Sequence, residues 1–282
     1  MTAAVLEHLA LLAQAPGGVE QLRTLTVMLA VTGRLVRQVP ADEDGSLLLK
    51  RLATAKQVAA KDARKQKEIA AEDLPAPPFD APAGWAWTHL DQVLAISGGV
   101  TLGRKLSGRS TNTAPYLRVA NVQRGRLDLT EVKEIEVPSD EIEKYRLEAG
   151  DLLITEGGDW DKVGRTAVWA DELPLCLHQN HIFRARRCSG ELDLRWAELY
   201  LNSPVARDYF AGASKQTTNL ASINMTQLRS CAFPVPPLPE QHRIVAKVTE
   251  LLTLCDLLKA RIAAARAKHA QLAEALVAEA VA

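Results

Sequence analysis

The chain has 282 residues, 47% of them hydrophobic, and its 34 basic and 34 acidic side chains cancel. That length supports a substantial core and more than one structural unit, while the neutral balance excludes a polybasic, histone-like nucleic-acid binder. Cys176, Cys188, Cys231 and Cys255 follow no regular spacing, which reads as reduced thiols rather than a disulfide framework. The run Leu9 to Ala15 ends like a signal cleavage site, but no Lys or Arg precedes Arg23 and Glu7 and His8 interrupt the apolar stretch, so no secretory signal is expected. No segment approaches the roughly 18 uncharged apolar residues of a membrane span. The expectation is a soluble, cytoplasmic protein.

In chain order, Val19, Leu22, Leu25, Val27, Leu29, Val31 and Leu35 predict a helix over 19–36 that stops near Gly33 and Pro40. A second helix is predicted from Ser46 to Glu72. Its later half, KQVAAKDARKQKE, is polar and reads as a solvated face or as a surface for something acidic. LPAPPFDAPAG, residues 74–84, breaks regular structure and marks a boundary. The partition expected is a helical region over 1–73, a linker over 74–83, a globular domain over 84–238 and a long helix over 239–282.

Within the globular part, YLRVANV (116–122), EIEVP (134–138), GDLLIT (150–155), GRTAVWA (164–170) and HIFRAR (181–186) read as strands, and LRWAELYLNS (194–203) as a helix. The class expected is α+β, with one mixed, β-rich domain between N-terminal helices and a long C-terminal coiled-coil helix. That last helix is delimited by proline. Pro234, Pro236 and Pro237 forbid a helix, Pro239 is tolerated at its start, and no glycine or proline follows. Ile244, Val248, Leu251, Cys255, Leu258, Ile262, Ala265, His269, Leu272 and Leu276 alternate four and three apart, the seam of a coiled coil. At about 1.5 Å per residue the helix reaches roughly 60 Å, more than one small domain needs, so the seam is expected to pack against another helix.

Four stretches imitate catalytic or ligand motifs. GGDWDKVGRT (157–166) fails as a phosphate loop because Gly158 and Gly164 are separated by five residues, arginine replaces lysine and a strand-like run follows. NSPV (202–205) lacks the second proline and the aromatic of an amino-methylating motif; a helix end and turn explain it. Cys176, His178, His181 and Cys188 are zinc-capable donors without zinc-finger spacing, read equally as buried thiols and loop histidines. No nucleophile elbow accompanies the scattered Ser, His and Asp residues. No catalytic centre, cofactor or metal is expected.

Charge, by contrast, is segregated. Between Asp91 and Asp128 there is no acidic residue, yet Arg104, Lys105, Arg109, Arg118, Arg124 and Arg126 fall there. A second acid-free stretch, from Tyr209 to Pro239, holds SKQTTNLASINM, and a third cluster is Arg184, Arg186 and Arg187. Arg and Lys neutralise phosphates, and Gln, Asn and Arg pair with base edges. The same residues on an ordinary solvated face are the other reading.

Taken in order, Pro82-Ala-Gly-Trp-Ala-Trp87, Tyr116-Leu-Arg-Val-Ala-Asn-Val122, Gly150-Asp-Leu-Leu-Ile154, Val163-Gly-Arg165, His178-Gln-Asn-His181 and Pro236-Pro-Leu-Pro-Glu-Gln241 before Arg243-Ile-Val245 resemble a type I restriction-modification DNA specificity subunit. The likeness covers residues 20 to 280 and includes Gly33-Arg-Leu-Val36. It implies a non-catalytic subunit whose target recognition domain reads double-stranded DNA. Its helices would dock methyltransferase subunits and, through them, restriction subunits on a bipartite target. Expected DNA contacts are Arg104, Lys105, Arg109, Arg118, Asn121, Gln123, Arg124, Gln179, Asn180, Lys215, Gln216, Thr217, Thr218 and Asn219. Expected docking residues are Ile244, Val248, Leu251, Cys255, Leu258, Ile262, Leu272 and Leu276. Members of that family carry two recognition domains where one is visible here, so the expectation is a half-length subunit, pairing with a second copy as a two-fold dimer, or a truncated form. The alternative is a scaffold or regulator that docks to methyltransferase subunits without reading DNA.

Overall fold

The computed structural model describes residues 15–60, 69–70, 72, 74–158, 162–216 and 221–282. The elements begin with α1 (Gly18–Val31), α2 (Gly45–Ala60), β1 (Ala86–His89), α3 (Leu90–Val93), β2 (Leu94–Ser97) and β3 (Thr111–Leu117). After a 3-10 turn (Val119–Asn121) come β4 (Val122–Gln123), β5 (Arg126–Leu127), β6 (Lys133–Pro138), a second 3-10 turn (Ser139–Glu141), α4 (Ile142–Tyr145), β7 (Leu152–Thr155) and β8 (Gly157–Gly158). The chain continues through β9 (Thr166–Val168), β10 (Leu177–His178), β11 (Ile182–Arg187), α5 (Leu194–Leu201) and α6 (Pro204–Ala213). It ends with β12 (Lys215–Gln216), β13 (Ala221–Ser222), α7 (Met225–Arg229), β14 (Ala232–Val235) and α8 (Leu238–Val281). Two compact units result, Met1–Gln38 with Arg243–Ala282, and Val39–His242. The α+β class is as the sequence predicts.

In the smaller unit α1 packs on the terminal helix. Val19, Leu22 and Cys255 form a buried cluster against which Leu258 and Ile262 pack. Arg23 pairs with Asp256 at 2.6 Å and Lys259 with Glu20 at 2.6 Å. Rising numbers on one helix meet falling numbers on the other, so the two run antiparallel. α1 stops five residues earlier than its apolar spacing predicts, closed by Gly33 N–H to Ala30 O (3.1 Å) and Arg34 N–H to Leu29 O (2.7 Å), the paired bonds of a Schellman stop. The expectation that the seam of α8 needs a second molecule is therefore corrected over its middle. Cys255, Leu258 and Ile262 already have a partner in the same chain.

In the larger unit the central sheet has the order β2-β11-β7-β9, all antiparallel. Leu117, Val122, Leu153, Ala167, Trp169 and Ile182 belong to the cluster packed on it. A second sheet, β10-β3-β6, buries Val100, Ala114, Tyr116, Val137 and Leu177. β1 pairs with β14, Ala86 opposite Val235, so the segments that lead into and out of the unit are zipped together. Trp85, Trp196, Tyr200 and Phe233 stack edge-on or tilted beside that pairing, with centroids 5.4 to 6.5 Å apart, and Trp196 Nε1 donates to Pro234 O at 3.1 Å. α2 contacts β1, β14 and α3, so it belongs with this unit rather than with α1. Its predicted extension to Glu72 includes residues outside the described set.

The motif residues acquire plain structural roles. In PPLPEQ, buried Gln241 donates to Pro236 O at 2.9 Å and accepts from Asp193 N–H at 3.0 Å, tying the first turn of α8 to the cap of α5. In NSPV, Ser203 caps α6 with Pro204 at the first position, while Asn202 makes a two-way bond with the Thr166 backbone at 2.8 and 3.1 Å. The predicted strand 116–122 is broken. After Leu117 the chain turns because the Asn121 side chain accepts from Arg118 N–H at 2.8 Å and donates to Asp128 O (2.8 Å) and Glu131 O (2.9 Å).

Gly164 has φ +67, and a Cβ there would drive into the Phe210 ring. Both effects oppose any side chain. Gly164→Ala is expected to cost about 2–4 kcal/mol, read as an early midpoint in urea unfolding. His178 is fully buried, its Nδ1 3.1 Å from Tyr145 O. Burial and the nearby Arg184 guanidinium push its pKa from 6.5 down to about 3. Between those values the unfolded chain binds a proton that the folded chain refuses. This contribution is therefore intact above pH 6.5 and is lost as pH falls toward 3, by up to about 1.4 kcal/mol per pH unit. Denaturation curves from pH 7.5 to 4.5 should show that slope in wild type and a shallower one in His178→Gln.

Candidate nucleic-acid interface

One end of the central sheet gathers the polar loops. Ser97 ends β2, Thr155 ends β7, and β11 and β9 begin there at Ile182 and Thr166. Gly99 and Val100, following β2, lie on the turn 178–181: Val100 N–H donates to His178 O at 2.8 Å and Asn180 N–H to Val100 O at 2.9 Å. Gln179 N–H donates to Leu117 O at 3.0 Å, bringing the end of β3 to the same place. Glu156 N–H donates to His181 O at 2.9 Å, and Ile223 N–H to Glu156 O at 2.9 Å. The β4–β5 hairpin hooks on through Gly125 N–H to Thr166 O at 2.9 Å and through Arg165 Nη1 to Gln123 Oε1 at 2.8 Å.

Beyond Glu156 a small sheet of order β12-β13-β8 projects from this end. Gly158 and Gln216 both stand opposite Ala221, so strands from the GGDWDKVGR and SKQTTNLAS segments finish side by side. Gly157 and Gly158 of the failed phosphate loop thus pair with the second acid-free stretch. The backbones of Lys215 and Gln216 lie in β12, whereas Thr217, Thr218 and Asn219 fall outside the described residues.

The sequence-predicted contacts sort into distinct environments. Gln179 and Asn180 stand together on the pinned turn, half-buried, with no side-chain hydrogen bond recorded among the described residues. Lys105 is exposed in the β2–β3 loop and Arg124 is half-buried beside Gln123. Asn121 is a correction. Its 3% exposure and three backbone hydrogen bonds make it the clamp of the 118–131 loop, and a base reader needs a free amide. Gln123 is likewise occupied, donating to Ala120 O at 2.9 Å and accepting from Arg165 at 2.8 Å.

The acid-free run is not acid-free in space. Arg104 reaches Glu141 at 2.8 Å, Arg109 reaches both Asp140 and Glu141 at 2.8 Å, and Arg118 lies 3.2 Å from Glu131. Hydrogen bonds from Arg104 and then Arg109 hold the Glu141 carboxyl below the usual range. These three guanidiniums are matched by carboxylates brought from the next segment of chain. The Arg184 cluster is also turned inward: Arg184 donates to Arg146 O at 2.7 Å and Arg186 forks onto Asp151 at 2.7 and 2.8 Å. Arg126 and Arg187 remain exposed. Sequence reasoning missed the Glu156–His181 pair, whose side chains meet at 2.5 Å at the centre of this end. Contact across 25 positions leaves no local signal.

The zinc-capable donors do not converge, and among the described residues no group of three or more His, Cys, Asp or Glu is placed to hold a metal. Cys176 is buried in the sheet cluster, its thiol pushed up to about 12 by burial. Of the docking residues, Ile244, Val248 and Cys255 are buried, Leu251, Leu258 and Ile262 half-buried, and Leu272 and Leu276 are 61% and 65% exposed. Among the described residues no helix is long and apolar enough to cross a membrane.

The chain is 27% identical over 265 residues to the specificity subunit of the type I restriction enzyme EcoEI of Escherichia coli, covering 92% of this chain and 44% of that relative. It is 29% identical over 284 residues to the EcoAI specificity subunit of Escherichia coli, covering 97% and 46%. The chain thus spans about half the length of the curated relatives it matches. A solved chain from a study of assembly and conformational transition in a type I R-M system superposes with a TM-score of 0.51 at 22% identity, over 91% of this chain and 56% of that one. It shares the fold. The family model described as the type I restriction modification DNA specificity domain matches residues 82–266, which take in the zipped β1–β14 unit and the packed part of α8, and the chain belongs to that family.

Proposed function

We propose that this chain is a sequence-specific DNA-recognition subunit of a type I restriction-modification system, a half-length form with one target recognition domain. The observation that carries the reading is the match of the DNA specificity domain over residues 82–266. The pinned loops at one end of the central sheet give it a physical basis. Gln179 and Asn180 are presented on a turn held by main-chain bonds, the arrangement that direct base reading requires. Exposed Lys105 and Arg126 supply phosphate contacts, which set affinity and register without reading sequence. Lys215, Gln216, Thr217, Thr218 and Asn219 complete the face in this proposal.

The chain itself supplies no chemistry. It places methyltransferase subunits, and through them restriction subunits, on cytoplasmic DNA, with docking through the helices of the smaller unit. α8 is exposed over 263–282, and Leu272, Leu276 and Val277 are 61%, 65% and 64% exposed. A stripe of that kind calls for a partner. A second copy, or a second half-subunit, packed antiparallel would cover it and put two recognition units on a split target.

Two measurements test this. In anisotropy titrations with duplex libraries, the full chain with its methyltransferase subunits should select a sequence and weaken as salt rises. Arg126→Ala should weaken all sequences alike and lower the salt slope by about one, whereas Gln179→Ala should change preference at one position. Docking to the methyltransferase without any sequence selection would favour the scaffold reading instead. Light scattering across a dilution series should give a dimer at micromolar concentration for wild type and a monomer for the Leu272→Asp, Leu276→Asp double variant. A wild-type chain that stays monomeric would remove the homodimer.

A further inference from the structure

Two side chains, those of Glu156 and His181, meet where the loops join. His181 Nδ1 lies 2.5 Å from Glu156 Oε2, with the imidazole 55% exposed and the carboxylate 29% exposed. The pair is not what holds the backbone in place. His181 O already accepts from Glu156 N–H, Glu156 O from Ile223 N–H, and Ile182 N–H closes the turn onto Gln179 O at 2.9 Å. β8 lies so close to β13 that a Cβ on Gly157 would sit 2.6 Å from Ala221 O. Exposed ion pairs add little to folding in any case. What the carboxylate does is orient the ring. An ionised carboxylate can only accept, so Nδ1 must carry the proton, and in the neutral imidazole the other nitrogen is then an acceptor. Nε2 has no recorded partner among the described residues, and the ring follows Gln179 and Asn180 on the same turn.

We infer that His181, oriented by Glu156, is a specificity-determining residue whose Nε2 accepts a hydrogen bond from the exocyclic amino group of adenine or cytosine in the major groove. The inference rests on the reading of this chain as a sequence-specific DNA binder. Adenine N6 and cytosine N4 are the amino donors on that face of the duplex, while guanine and thymine present acceptors there. One fixed acceptor therefore separates the two classes on the strand it faces. Glu156 is a positioning residue in this scheme and need not touch the base.

The test uses the full chain with its methyltransferase subunits and a randomised duplex library, with the bound fraction sequenced and a thermal melt on each variant. Wild type should favour adenine or cytosine at one position by about tenfold, the order of a single mismatch penalty. His181→Ala should reduce that to about twofold or less, with the other positions unchanged. Glu156→Gln should relax the same position, because an amide donates as well as accepts and admits both imidazole tautomers. It also keeps every main-chain bond, so it supplies the readout if His181→Ala melts early. Unchanged preference in His181→Ala, an equal loss for all sequences, relaxation of different positions by the two variants, or a guanine preference that vanishes with His181 would each overturn the assignment. Absence of any selected sequence in wild type would instead overturn the DNA-recognition reading, and this inference with it.

Discussion

The pairing of Ala86–His89 with Ala232–Val235 is the constraint on which the larger unit depends. Everything between these two strands forms, with them, a closed loop of about 150 residues whose ends cannot fray independently. The aromatic side chains beside the pairing are edge-on pairs, which gain from quadrupole contact as well as burial. Pro234 is accommodated because the pair forms a two-stranded sheet with open outer edges. Gln241 then carries the closure into the first turn of α8 by bonding to Pro236 O and to Asp193 N–H.

Much of this was legible in the sequence because it rests on local rules. Strands β6, β7, β9 and β11 lie in the apolar runs that predicted them, and Ser203 with Pro204 is an N-terminal helix signal in its ordinary place. What was not legible depends on contacts far apart in the chain. Arg104 and Arg109 look unpaired over 37 positions of sequence, yet Asp140 and Glu141 reach them across the β3–β6 pairing. Asn121 reads as a free amide in an arginine-rich loop, but a side chain with one acceptor and two donor hydrogens is well suited to clamp a turn, and here it does. The heptad seam showed that α8 has a partner without saying which. That information lies in the complementary charges of Glu20 and Arg23, far up the chain.

The candidate face therefore differs in character from the one composition suggested. It is less a cationic patch than a set of amides and one imidazole on stiff backbone, with the matched guanidiniums set aside as structural links. Charge that is already neutralised by a forked carboxylate contributes little long-range attraction. Selectivity in such a face comes from hydrogen-bond geometry, and its affinity from a small number of exposed cations.

The turn at 178–181 has a further consequence. Each bond that fixes its path, to Leu117 O, Val100 O, Gln179 O and Glu156 N–H, is made by main-chain atoms. Those bonds are indifferent to which side chains the turn carries. Substitutions at Gln179, Asn180 or His181 can therefore change the hydrogen-bonding groups the turn presents without touching the scaffold that displays them. A turn held this way tolerates exchange of its side chains one at a time, each intermediate remaining folded.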